Sequence, residues 1–160
     1  TYIFNKRALS EARFLLFIEP GQIILTMETV KLEMTSDGRF VPAEGVRLSD
    51  YNPKELMLVA MCDCAGRTVL AIMEKMKISP LEMEIEGSGR ITTDTVHAET
   101  EFTSFEVTYN VTCRTLKEQE HISRAIELAH DKHCGVVAMM RHIAPVERRI
   151  MIHSVEPAKA

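Results

Sequence analysis

From Asn52 to about Met76 the sequence offers one long helix with more apolar residues than a single stripe can hold, so the rest of the chain must be arranged to cover it. Asn52 is a good N-cap, Pro53 suits the first helical position, and Glu55 stands where a capping-box carboxylate reaches back. Nearly every position from Leu56 to Met61 is apolar, and Ala65, Val69, Leu70, Ile72 and Met73 continue the run. A helix this apolar is expected to be buried on most sides.

The covering material reads as strands followed by helices. Ile23 to Met34 alternates Val30, Leu32 and Met34 against Lys31 and Glu33, and Ser36-Asp37-Gly38 turns the chain into a return strand, Arg39 to Arg47, interrupted by Pro42. After the helix, Leu81, Met83 and Ile85 face inward against Glu82, Glu84 and Glu86, with a bend expected at Gly87-Ser88-Gly89. The cleanest alternation follows: Phe105, Val107, Tyr109, Val111 and Cys113 against Glu106, Thr108, Asn110, Thr112 and Arg114. That is the period of a sheet with one wet face, and it makes Cys113 an inward, structural thiol. Lys117 to His133 is amphipathic through Ile122, Ala125, Ile126 and Ala129, a stripe that His133 continues as a semi-buried residue. Cys134 ends that helix, Gly135 redirects the chain, Val136 to Ile143 form a second short helix, and Pro145 stops it before a last strand, Val146 to Val155. The order predicts an α+β fold in a single domain over 1–160, without internal repeats. Residues 1–20 have no clear period and read as a peripheral strand or helix, or as partly foreign to the native chain.

Composition narrows the partners. At 160 residues and 46% hydrophobic content the chain suits one domain with a usable core. The 23 acidic and 19 basic side chains, net −4, are spread without a long block of one sign, which argues against nucleic acid or an anionic membrane as the main partner. The apolar run Phe14 to Ile18 is far shorter than the roughly 18 residues of a span and is followed by Glu19 and Pro20. A cytoplasmic, reducing setting is therefore expected, with Cys62, Cys64, Cys113 and Cys134 resting as thiols. Ten methionines and no tryptophan point to a core packed with flexible thioethers.

Those thiols are the main chemical resource. Cys64 lies in an apolar helix, about three turns past the N-cap, beyond useful reach of the helix dipole. It is either a buried structural residue or a nucleophile whose thiolate needs a cation from another segment. Cys62 either fills space or competes with Cys64 for oxidation. Cys62, Cys64, His130, His133 and Cys134 are soft-metal ligand types, but residues two apart on a helix point to opposite sides, and no metal is expected. His97, His121, His142 and His153 form no constellation, and there is no phosphate loop, Ser-His-Asp arrangement or dinucleotide fingerprint.

The run Asn52-Pro53-Lys54-Glu55-Leu56-Met57-Leu58-Val59-Ala60-Met61, followed by Cys64 and Thr68-Val69, resembles the "(N/S)-P-E-E-L-hydrophobic-A-A-x-x-x-C" helix of the OsmC/Ohr family. Ile126-Glu127-Leu128-Ala129 and Lys132-His133-Cys134 resemble the helix that carries that family's second cysteine, and the likeness covers residues 23–155. The resemblance implies antiparallel sheets wrapped around a long central helix in an intertwined homodimer. It implies a thiol-dependent peroxidase acting on organic hydroperoxides, with no metal or organic cofactor. By position, Cys64 attacks the peroxide and becomes a sulfenic acid, Cys134 captures it as a disulfide, and a dithiol such as lipoyl, or a small thiol, restores both. The family's activating arginine comes from the N-terminal hairpin, making Arg39 and Arg47 the candidates, with Met57 and Met61 lining the apolar approach. The chain departs from the pattern where the family's arginine-orienting glutamate belongs: that position is Lys54, ten residues before Cys64, and Glu55 is one step around the helix, as cap or as displaced partner. Two other readings stay open, a non-enzymatic binder of an apolar small molecule and a thiol redox sensor.

Overall fold

A computed structural model describes residues 24–43, 45–93 and 100–156. Its elements in chain order are β1 (Ile24–Met34), β2 (Phe40–Pro42), α1 (Pro53–Lys75), β3 (Glu82–Thr93), β4 (Glu101–Cys113), α2 (Leu116–Leu128), α3 (Gly135–Met140) and β5 (Val146–Ser154). The readings of residues 1–20 and of His97 lie outside the described residues. The five strands form one sheet in the order β2-β1-β3-β4-β5, antiparallel throughout except that β5 runs parallel to β4. The α+β expectation holds, and the parallel pair is the addition: α2 and α3 form the crossover that a parallel connection requires.

The helix ends follow from the residues that cap them. Asn52 accepts hydrogen bonds from the backbone N–H groups of Lys54 and Glu55, and Glu55 accepts one from the N–H of Asn52. The capping box is therefore complete, and α1 runs to a cap at Met76. Thr115 and Glu118 repeat the device at the start of α2.

On β4, Phe105, Val107, Tyr109, Val111 and Cys113 are all buried, as the alternation predicts. The bend expected at Gly87-Ser88-Gly89 is absent: β3 continues through it, pairing Gly87 with Val107 and Gly89 with Phe105. These glycines face α1. A Cβ at Gly87 would collide with the Cys62 sulfur, and one at Gly89 would come within 2.5 Å of the Phe102 ring. Gly87 marks a close approach of helix to sheet, and Gly89 makes room for the Phe102 ring of β4. Leu81, expected to face inward, lies ahead of the strand and is 39% exposed.

α1 packs Leu58, Met61, Cys62, Ala65, Gly66, Val69 and Met73 onto the sheet. Each large apolar side chain among them contributes roughly 1.5–3 kcal/mol by leaving water. The expectation of burial on most sides is corrected on the opposite face, where Leu56 is 41% and Met57 37% exposed. Among the described residues the sheet covers one flank of α1, and α2, the π turn after it and α3 cover another, which leaves this face open.

Candidate functional site

Cys62 and Cys64, two positions apart on α1, meet different surroundings. Cys62 points into the sheet, fully buried against Gly87, and burial pushes its thiol far up from the ordinary range. It is a space-filling residue. Cys64 is turned away, half-buried, with its carbonyl accepting a hydrogen bond from the Thr68 hydroxyl at 2.8 Å.

Cys134 reaches the same place from the other side of the molecule. After Leu128 the helix widens into a π turn, Ala129–His133, closed by the Cys134 N–H donating to the Ala129 carbonyl at 2.8 Å. Cys134 leaves that turn in an extended conformation and becomes the N-cap of α3, its sulfur accepting from the Val137 N–H at 3.5 Å. The Cys134 thiol in turn donates to the Cys64 sulfur at 3.3 Å. A covalent disulfide has an S–S distance of about 2.05 Å, so the pair rests one small side-chain movement short of bonding. Burial pushes the Cys134 thiol up to about 11, partly offset by the Val137 N–H. Cys134 is therefore a protonated donor at neutral pH, and Cys64 is the acceptor and the less buried partner.

Beside the pair, Tyr109 and His130 form a second buried polar contact, Tyr109 hydroxyl to His130 Nδ1 at 3.1 Å. His130 is 1% exposed, and its Nε2 lies 3.4 Å from the Val146 carbonyl. His133, expected on the apolar stripe, is exposed because the π turn adds a residue to the helical repeat, while His130, four residues after Ile126, points inward. The missed signal was the four-residue spacing Ile122, Ile126, His130, together with a tyrosine hydroxyl facing inward on β4 and needing a partner.

The other expected site residues are engaged locally. Arg39 pairs with Asp37 at 2.7 Å on the turn after β1, Arg47 pairs with Asp50 at 3.1 Å, and Glu55 serves the α1 cap. Among the described residues no cationic side chain hydrogen-bonds to either sulfur of the pair. Lys54 donates to the Thr100 hydroxyl and, with Met57, Glu101, Phe102 and Ile143, lines a hollow of about 410 Å³. Met57 and Cys64 are seven residues apart and share a face of α1. Met61, expected beside Met57, is buried in the core and does not reach the hollow.

Residues 46–148 match the family model described as OsmC-like protein. Among solved structures, a hypothetical protein from Aquifex aeolicus VF5 is similar at 22% identity and a TM-score of 0.56, with 87% of this chain and 100% of that one covered. An OsmC like protein from Mycoplasma pneumoniae is similar at 8% identity and a TM-score of 0.54, covering 84% and 98%. An organic hydroperoxide resistance protein OsmC from Legionella pneumophila is similar at 15% identity and a TM-score of 0.50, covering 81% and 96%. Identities this low carry the fold alone. No curated protein matches the sequence.

Proposed function

Because this chain belongs to the OsmC-like protein family, we propose that it is a thiol-dependent peroxidase that reduces organic hydroperoxides. The observation that carries the reading is the 3.3 Å contact between Cys134 and the half-buried Cys64. In the proposed cycle the Cys64 thiolate attacks the terminal peroxide oxygen. The O–O bond breaks, the alkoxide leaves as an alcohol after taking a proton, and Cys64 becomes a sulfenic acid. The Cys134 sulfur then attacks the Cys64 sulfur, hydroxide departs as water with the Cys134 proton, and a disulfide closes. An external dithiol reopens it by two exchanges, leaving as its own disulfide.

The hydrogen bond from Cys134 favours negative charge on Cys64, and the raised Cys134 thiol keeps its proton until a sulfenic acid is present to attack. We assign further stabilisation of the thiolate to Arg39, released from Asp37. Gly38, its neighbour, faces Leu70 of α1, six residues beyond Cys64 and thus about 9 Å along the helix axis. Arg47 is the second candidate, and Glu55 supports the nucleophile by fixing the start of its helix. The hollow lined by Met57, Phe102 and Ile143 is the proposed approach for the apolar part of the substrate. We propose a homodimer that covers the exposed Leu56, Met57, Met139 and Ile143, working in the cytoplasm, where dithiol reductants are maintained.

A second reading, an OsmC-like binder of apolar small molecules without turnover, draws on Lys54 at the arginine-orienting position and on the absence of a described cation at the sulfurs. One equivalent of cumene hydroperoxide added to the reduced protein separates the two. The peroxidase reading expects a Cys64–Cys134 disulfide in the wild type and a trappable Cys64 sulfenic acid in Cys134→Ser, both found by peptide mass spectrometry. Recovery of four unmodified thiols would overturn it.

A further inference from the structure

The proposed cycle uses two sulfurs, yet the most elaborate polar construction in the core lies behind one of them. We propose that Tyr109, His130 and Arg141 are positioning residues for the thiol pair: they lock the π turn between α2 and α3, and so hold Cys134 at closing distance from Cys64. The inference rests on the reading of Cys64 and Cys134 as a functional dithiol.

A regular helix through residues 129–134 would set Cys134 in another direction. Each residue of α-helix advances the side-chain direction by about 100°, so the single residue gained in a π turn re-aims everything after it. Such a turn is weaker than the α-helix around it and persists where other contacts hold it. Contacts from Tyr109, His130, Arg141 and Arg148 do so here. The His130 Nε2 donates to the Val146 carbonyl, which is an acceptor only, so Nδ1 is left to accept from the Tyr109 hydroxyl. Burial keeps both groups uncharged, lowering the histidine and raising the tyrosine. The turn is thereby tied to β4 and to the start of β5. Arg141, the C-cap of α3, reaches back to donate to the His130 carbonyl at 2.8 Å and to the Asp131 carbonyl at 3.4 Å. These are carbonyls that a helix end leaves without partners. Arg148 on β5 adds an ion pair to the Asp131 carboxylate at 2.6 Å.

Cys134 sits at the middle of this clamp, between the turn that Tyr109 and His130 anchor and the six-residue helix that Arg141 closes. With its backbone fixed, only a side-chain adjustment separates the thiol contact from a bond. Fixing two reacting groups in place is what raises their effective concentration. A core that needed only apolar filling would have no use for a buried histidine whose two ring nitrogens both require partners.

The test is the equilibrium of the Cys64–Cys134 disulfide in glutathione buffers, where one oxidised glutathione and the two protein thiols exchange for the protein disulfide and two reduced glutathiones. It needs no peroxide. Tyr109→Phe, His130→Gln and Arg141→Gln should each lower the equilibrium constant roughly five- to tenfold, the worth of the buried hydrogen bonds removed. Arg141→Lys should recover part of the loss. The buried Cys62 and Cys113 should stay as slow to react with iodoacetamide as in the wild type, a control that general loosening of the fold would not pass. Arg141 is on the surface side of the turn, so its variant tests the idea even where the core variants fold poorly. Wild-type closure with variants closing equally well would overturn the positioning role alone. A wild-type protein that forms no 64–134 disulfide at any glutathione ratio would overturn the dithiol reading and this proposal together.

Discussion

At the scale of single residues, the site is a matter of which way three thiols point. Cys62 and Cys64 are indistinguishable in sequence by local composition, but one is sealed under Gly87 and the other faces Cys134. Iodoacetamide on the folded protein should therefore modify Cys64 well before Cys62 and Cys113, read by timed peptide mapping; comparable rates at Cys62 would contradict the assignment of that residue as filling. The pairing of Cys64 with Cys134 was legible only through family resemblance, since nothing in periodicity brings two helices together. The Tyr109–His130 contact was legible only in part: the spacing Ile122, Ile126, His130 turns His130 inward, but a π turn leaves no signature in the apolar pattern and takes His133 off the stripe. That contact also carries a pH dependence. His130 has a folded pKa below its ordinary value, chiefly through burial, with Arg141 and Arg148 adding to the lowering and Val146 and Asp131 opposing it. The unfolded chain then binds more protons than the folded one below about pH 6.5, so stability falls as pH drops through that value and is level above it. Urea midpoints of wild type and His130→Gln between pH 5 and 7 should converge toward the acid end; parallel curves would show that His130 titrates as it does in the unfolded chain.

At the scale of elements, helix ends were readable and the continuity of β3 was not. The Asn52-Pro53-Lys54-Glu55 start is written in capping chemistry, which acts through neighbours in sequence, and Asn52→Ala should cost about 1 kcal/mol by chemical denaturation. Gly87 and Gly89 read as a bend because local rules assign glycine to turns, whereas here Gly87 is required by Cys62 of the helix that crosses the strand and Gly89 by the Phe102 ring of β4, neither of them a near neighbour in sequence. Gly87→Ala should destabilise by about 1–3 kcal/mol through its collision with Cys62. Cys62→Ala should restore much of that loss in the double variant. An additive pair of losses would mean that Cys62 is not what the new methyl group meets.

At the scale of the whole molecule, the sheet covers one side of an apolar helix, α2, the π turn and α3 cover another, and the flank of Leu56 and Met57 is left bare. Sequence reasoning demanded that the helix be covered, and one chain meets the demand halfway. That is the physical argument for a second copy, and it places Leu56 and Met57 beside the proposed substrate approach. Sedimentation should give a dimer, and Leu56→Lys should shift it toward monomer while lowering peroxide turnover; a wild-type monomer at micromolar concentration would remove the homodimer from the account. The central claim, however, is catalysis by Cys64. Its most direct test is steady consumption of cumene hydroperoxide with a dithiol reductant, wild type against Cys64→Ser. Many turnovers by the wild type and none above background by Cys64→Ser is the result the account predicts. Equal, slow consumption by both would contradict it, leaving the fold and the thiol pair in place for a protein that binds or senses without turning over.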